Sequence, residues 1–379
     1  MRDIVVVGLL WMGCGRSVGE VTVCGAPRGP QLQPLTSSEA QRAFAARHPW
    51  PMLQQQGGQV QQRARLVAVF FGDDPLREPT EALLQSYGCT RWWREAVAEY
   101  GVGDYVYART IVVNEPFPTP VDPASDGEFS GWVLDHQKLF APAPDEVLVF
   151  FAPEGAYDRC PRSLGWHSEA LLGVHKLPFA LIKDCPPGKT TSTSAMDQRS
   201  RTTTHELLEI ALNPFPQSAP AWRDLSTGWW PATDYTENAD LCDSIPIVTR
   251  EYPFAMVSSW SNRRAALGLL PCSSNEQPFV VALARESEID LTTGSATMTV
   301  DVYADLPNEE VSLYISAGCA VAEPNSVVAH GGDTFSIALT TSPDPGCQSW
   351  AYKPTTLSLF TSPSGAEQLG LVSEVSMKF

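Results

Sequence analysis

The chain has 379 residues, of which 43% are hydrophobic and 18% charged, with a formal net charge of −17. That much apolar material excludes a disordered chain. The acidity excludes a surface built for phosphate backbones or anionic lipid, so no nucleic-acid partner is expected. Length alone points to two domains, or to one with a large appendage.

Met1-Arg2-Asp3 leads into an apolar run, Ile4 to Gly13, that is too short to span a bilayer, and Cys14 follows it. A basic residue, a short apolar stretch and a cysteine after a small residue make residues 1–13 look like a bacterial lipoprotein signal, with Cys14 as the lipidated first residue of the exported chain. Trp11 departs from that pattern, which usually carries Leu three places before the cysteine, and Asp3 is unusual in its basic start. A buried N-terminal strand is the other reading. On the first reading the protein is exported, as an outer-membrane or cell-surface lipoprotein or in secreted form, and touches the membrane through its N-terminal lipid only.

Cysteine usage agrees with export. There are nine: Cys14, Cys24, Cys89, Cys160, Cys185, Cys242, Cys272, Cys319 and Cys347. Setting Cys14 aside leaves an even number, as an oxidising compartment favours. Neighbours in sequence suggest Cys160 with Cys185, Cys242 with Cys272 and Cys319 with Cys347. Cys24 and Cys89 are then left over, either paired or free. No spacing is a C-x-x-C, which argues against a thiolate metal site.

Residues 14–62 are rich in Pro, Gly, Gln and Ser and read as a tether followed by irregular structure. A first strand is expected at Leu66–Phe71, stopped by Gly72-Asp73-Asp74. Pro79–Tyr87 and Thr90–Tyr100 read as helices, and in the second Trp92, Trp93 and Val97 share an apolar face. These tryptophans, like Trp229-Trp230, read as core or groove walls. Asp104–Val113 reads as a strand, Phe129–Phe140 as a helix, and Glu146–Phe151 and Leu177–Ile182 as short buried strands. A helix is expected from Met196 to Leu212, ended by Pro214 and Pro216. Alternating strands and helices make this part a mixed α/β layer. After Pro271 the texture changes to short β-type runs at Phe279–Ala284, Ala296–Tyr303, Val311–Ile315, Thr334–Leu339, Thr356–Phe360 and Val372–Phe379, punctuated by turn residues. That is the pattern of a small all-β sandwich, with a boundary near Ser273. The fold class expected overall is α+β.

The chemistry concentrates in His205-Glu206-Leu207-Leu208-Glu209. On a helix His205 and Glu209 lie one turn apart on one face. Zinc proteases present two ligands at this spacing in H-E-x-x-H, where the glutamate after the first ligand is the general base. Glu206 occupies that place. The second ligand position is Glu209 instead of histidine; a carboxylate still binds zinc, though more oxygen ligands shift the preference towards calcium. A further ligand must come from outside the helix. Glu237 and Asp240, beside Cys242, are the best candidates, and His167 in Gly165-Trp166-His167-Ser168-Glu169 is another. A solvated helix face carrying His and Glu has the same two-position pattern.

The stretch Thr204-His205-Glu206-Leu207-Leu208-Glu209-Ile210-Ala211-Leu212-Asn213-Pro214 resembles the motif S-H-E-x-x-E-A-x-T-D-P of an uncharacterised family of secreted or lipoprotein-type bacterial proteins, frequent in myxobacteria. Matching pieces lie upstream, at Trp92-Trp93, Glu99 to Gly103 and Cys160 with Gly165 to Glu169. Others lie downstream, at Ala219 to Trp222, Glu237 to Cys242 and Trp260 to Asn262 ahead of Cys272. The similarity covers residues 66–272. The family in turn resembles zincin metalloproteases in its motif and its order of elements. The resemblance implies a zincin-like domain over 63–272 with an active-site helix; the sandwich over 273–379 lies outside it. It makes His205 and Glu209 metal ligands and Glu206 the base, with Glu237 or Asp240 completing the shell. The implied function is that of an exported zinc peptidase acting on a peptide or protein. The alternative is a non-catalytic surface lipoprotein whose degenerate metalloprotease-like domain binds a cation or a partner. If the family's Asp orients a ligand or binds the metal, Asn213 in its place is expected to weaken the site.

Overall fold

A computed structural model describes residues 16–18, 21–23, 39–47, 49–118, 126–156, 164–172, 175–184, 194–225, 237–242, 249–251, 253–272, 280–286, 288–304, 311–317, 319–343, 355–360, 371–372 and 374–378. The expected signal segment, Cys14, Cys24, Cys160, Cys185, Cys347 and Trp229-Trp230 lie outside them. Helices and sheets are both present in the α+β proportion expected.

The first layer is a five-stranded sheet built from β1 (Arg63–Phe71), β2 (Asp104–Val113), β3 (Glu146–Phe151), β4 (Gly165–Leu172) and β5 (His175–Ile182). The strand order is β2-β1-β3-β5-β4, parallel except for β4, which pairs antiparallel with β5 at the edge. Alternation along β1 explains why it reads as one apolar run. Leu66, Ala68 and Phe70 point into one core, and Val67, Val69 and Phe71 into another on the opposite face. A parallel strand covered on both faces carries no polar side.

Three helices are central to the covering. Helix α1 (Glu39–Arg47) falls inside the segment expected to be irregular, and its Phe44 is fully buried. Helices α2 (Arg77–Tyr87) and α3 (Arg91–Val97) follow the expected order. The Thr90 hydroxyl caps α3 by accepting from Trp93 N at 3.1 Å. Trp92 and Trp93 are core residues: Trp93 packs 4.7 Å from the Tyr87 ring, and Trp92 Nε1 donates to Val257 O at 2.7 Å. On the other face α4 (Asp126–Asp135) brings Phe129 and Val133 against the sheet.

Helix α5 (Ala195–Leu212) carries the chemistry. Ser194 caps its start, accepting from Asp197 N at 3.0 Å, and the acidic Asp197 suits the positive end of the helix dipole. Asn213 leaves helical geometry and Pro214 has no N–H to continue it. The helix is buried nearly all round, between the sheet and the segment around Phe254–Met256. Its charges therefore need partners inside the protein. Arg199 finds them at the carboxyl ends of two strands. Its Nη1 donates to both Asp74 oxygens at 2.8 and 2.9 Å, and Nη2 to Asp184 at 2.9 Å. This clamp fixes α5 on the sheet.

The C-terminal part is a sandwich of two five-stranded sheets. Its strands are β6 (Val280–Ala284), β7 (Glu288–Asp290), β8 (Ser295–Ala304), β9 (Val311–Ser316), β10 (Ala320–Glu323), β11 (Ser326–Ala329), β12 (Thr334–Thr341), β13 (Thr355–Phe360), β14 (Leu371–Val372) and β15 (Glu374–Lys378). The sheet orders are β10-β12-β8-β6-β14 and β7-β15-β13-β9-β11. The core does not stop at the expected boundary near Ser273. Val281, Leu283 and Tyr303 join the first core, where the Phe44 ring meets Tyr303 edge-on at 5.0 Å.

The disulfide Cys242–Cys272 is formed. Cys89 and Cys319 are each disulfide-bonded to partners outside the described residues. No helix of the described residues is long and apolar enough to cross a membrane.

Two contacts lead to expected outcomes. A Cβ on Gly165 of β4 would lie 2.7 Å from both Thr202 Cγ2 and Glu206 Oε1 of α5, so strand and helix approach only because this residue has no side chain. Gly165→Ala is expected to cost about 1–3 kcal/mol, read as a lower denaturant midpoint at unchanged slope. Asp74→Ala strands a guanidinium that is 2% exposed. It is expected to cost about 3 kcal/mol, the lower end for a broken buried pair because Asp184 still faces Arg199.

Candidate metal centre

Three elements converge on Glu209. Helix α5 supplies His205, Glu206 and Glu209; strand β4 supplies His167; and the turn at residues 237–242 supplies Glu237 and Asp240. All six residues singled out in the sequence therefore meet in one place. Strand alternation sends Trp166 into the core around Phe129 and Phe179, so Gly165 and His167 face α5.

Helix geometry sorts the two halves of the cluster. His205 and Glu206 are about 100° apart around the axis, and Glu209 lies between them one turn on. His205 Nε2 accordingly meets Glu209 Oε1 and Asp240 Oδ1, each at 3.3 Å. Glu206 turns the other way, with its Oε2 3.4 Å from His167 Nδ1. The same nitrogen is 3.4 Å from Glu209 Oε2, while His167 Nε2 is 3.6 Å from Glu237 Oε2. Glu209 thus reaches both sides, one oxygen to each.

The turn is held from several directions. Asn238 exchanges two hydrogen bonds with the Trp260 backbone, donating at 2.9 Å and accepting at 3.0 Å. Cys242 is tied to Cys272. Asp240 N donates to Glu209 Oε1 at 3.1 Å. Asn213, expected to weaken the site, is fully buried and supports it. Its amide nitrogen donates to Glu237 Oε1 in a short hydrogen bond, and its oxygen accepts from Ala221 N at 2.8 Å. An aspartate there has no N–H with which to hold Glu237. Neither Asn238 nor the orienting role of Asn213 was legible beforehand; only the position of Asn213 at the helix end offered a signal.

The electrostatics are those of crowded, desolvated charge. The side chains of Glu206, Glu209 and His167 are 5%, 3% and 4% exposed, against 15% and 14% for His205 and Asp240. Burial raises Glu206 above the usual carboxylate range, with His167 opposing. Burial also acts on Glu209, but His205 and His167 outweigh it and hold that carboxyl well below its ordinary value. Asp240 is pushed up to about 7 by burial and by Glu209 beside it. Burial favours neutral His167, yet Glu237, Glu206 and Glu209 together raise it well above its ordinary value.

One ligand atom each from His205, Glu209 and Asp240 lies within 4.8 Å of the other two, and the same holds for His167, Glu209 and Glu237. A tetrahedral zinc shell with bonds of about 2.0–2.1 Å has neighbouring ligand atoms about 3.3–3.4 Å apart. The His205–Glu209 and His205–Asp240 separations match that spacing.

No family model and no curated protein matches this chain. Among solved structures, the E. coli chaperone DraB is similar over 27% of this chain and 55% of its own length, at 9% identity and a TM-score of 0.20. A likeness that weak carries no argument about fold or function.

Proposed function

We propose that the chain is an exported metal-dependent hydrolase of zincin type, a zinc peptidase working from an H-E-x-x-E helix. One observation carries the reading: His205, Glu209 and Asp240 present ligand atoms at shell spacing in a partly open position next to buried carboxylates. The order of elements supports it, with an antiparallel edge strand β4 followed by β5 and then the helix that bears the motif. Imidazoles among the ligands favour zinc over calcium. When bound, a divalent cation supplies Lewis acidity, polarising a carbonyl and acidifying water. The chain's own part is to hold the ligands rigid through the Cys242–Cys272 bond and Asn238, and to take up a proton on Glu206. Burial lifts the Glu206 carboxyl above its ordinary value, the direction that suits a group taking up a proton. Among the described residues β4 is the edge strand of its sheet, and an extended peptide can join a sheet edge by strand addition. Export, with a lipid on Cys14 as the membrane attachment, is part of this reading and rests on the apolar run Ile4 to Gly13.

A specific observation favours a second reading. Glu206 turns towards His167, beneath Gly165, on the side of the helix away from Asp240. A cation there then acts structurally, in a surface protein that no longer hydrolyses anything.

Both readings require metal. Full chelation is expected to lower the melting temperature by several degrees, since a ligand at a thousand times its Kd stabilises by about 4 kcal/mol. For the peptidase, Glu206→Gln is expected to keep the metal and lower turnover of a peptide library by about 10²–10⁴-fold. Turnover that survives both chelation and Glu206→Gln sinks the catalytic reading. Metal-dependent melting with no turnover at all selects the structural one.

A further inference from the structure

Resting on the metal-dependent reading, we propose that the site holds two divalent cations of the first-row transition class, with Glu209 as the carboxylate that bridges them. Two ligand sets are present, and they share only this residue. The outer set is His205, Glu209 and Asp240; the inner set is His167, Glu209 and Glu237. The two oxygens of Glu209 divide between them, Oε1 towards His205 at 3.3 Å and Oε2 towards His167 at 3.4 Å. A carboxylate shared in this way suits ions roughly 3.5–4 Å apart, the separation of two-metal hydrolytic sites.

An independent observation points to the inner position. His167 Nε2 is fully buried and makes no hydrogen bond among the described residues; its nearest carboxylate oxygen, on Glu237, is 3.6 Å away. Asn213 fixes Glu237 Oε1, which leaves Oε2 turned towards His167.

Charge gives the same answer. Glu206, Glu209, Glu237 and Asp240 place four carboxylates here, and their side chains are at most 14% exposed. Four desolvated carboxylates in so small a volume are suited to holding cations. The outer ion is the more accessible of the two and is expected to exchange first.

The test is stoichiometry on the full chain equilibrated with zinc, measured by elemental analysis after removal of free metal. Two equivalents are expected. His167→Asn and His205→Asn are each expected to retain one, and Glu209→Gln none. In the manganese-loaded chain, paramagnetic resonance is expected to show a coupled pair. One equivalent in the wild-type chain, with an uncoupled manganese signal, overturns the two-ion proposal and leaves the single-ion reading standing. No zinc on the wild-type chain overturns both. The wild-type measurements decide the matter even if a variant fails to fold.

Discussion

Negative charge gathered where water does not reach is the constraint on which the rest of this structure depends. Four carboxylates face two imidazoles around Glu209, with the Asn213 amide and the Asp240 N–H as further donors. Carboxylates left to themselves in such a place would protonate or swing outwards. Here they are prevented from swinging. The Arg199 clamp holds the helix to the sheet, Gly165 allows β4 to close over Glu206, and Asn238 with the Cys242–Cys272 bond pins the opposing turn. The scaffold is stiff on three sides of a site that is costly to form, an arrangement that makes sense for holding a cation.

Helix geometry also separates tasks that the motif runs together. Adjacent residues on a helix cannot face the same spot, so His205 and Glu206 address different neighbours. Glu209, one turn on, is the only member of the triplet that touches both. The histidine on β4 gives Glu206 a partner on the inner side.

The sequence was most informative where local rules govern. Helix α5 was expected within one residue of its observed start, and Pro214 marked its end by a missing N–H; the Ser194 cap that fixes the start is seen only in the structure. Strands β2 and β3 matched because they are continuous apolar or β-branched runs. Strand β4 was not read as a strand. Gly165-Trp166-His167-Ser168-Glu169 has polar residues on a face that is buried only through contact with α5, and tertiary packing overrode the pattern. His167 was therefore a candidate with no known direction. The role of Asn213 was not legible for a related reason: whether an amide or a carboxylate suits a position depends on which atom it faces, here Glu237 Oε1. Helix α1 lay hidden in a Pro- and Gln-rich segment because only Phe44 and its contacts give that stretch a core to join.

Those contacts bear on the order in which the molecule can be completed. Phe44 is buried against Trp50 and against Tyr303 of the sandwich, far along the chain. During synthesis from the N-terminus, α1 emerges long before residue 303 exists, so its ring must wait uncovered. The metal-site half thus finishes its core only when the last quarter of the polypeptide arrives. A truncated product ending near residue 272 would carry every candidate ligand yet lack Val281, Leu283 and Tyr303 from the wall behind them. The sandwich thus contributes packing that the half carrying the candidate site cannot supply from its own residues.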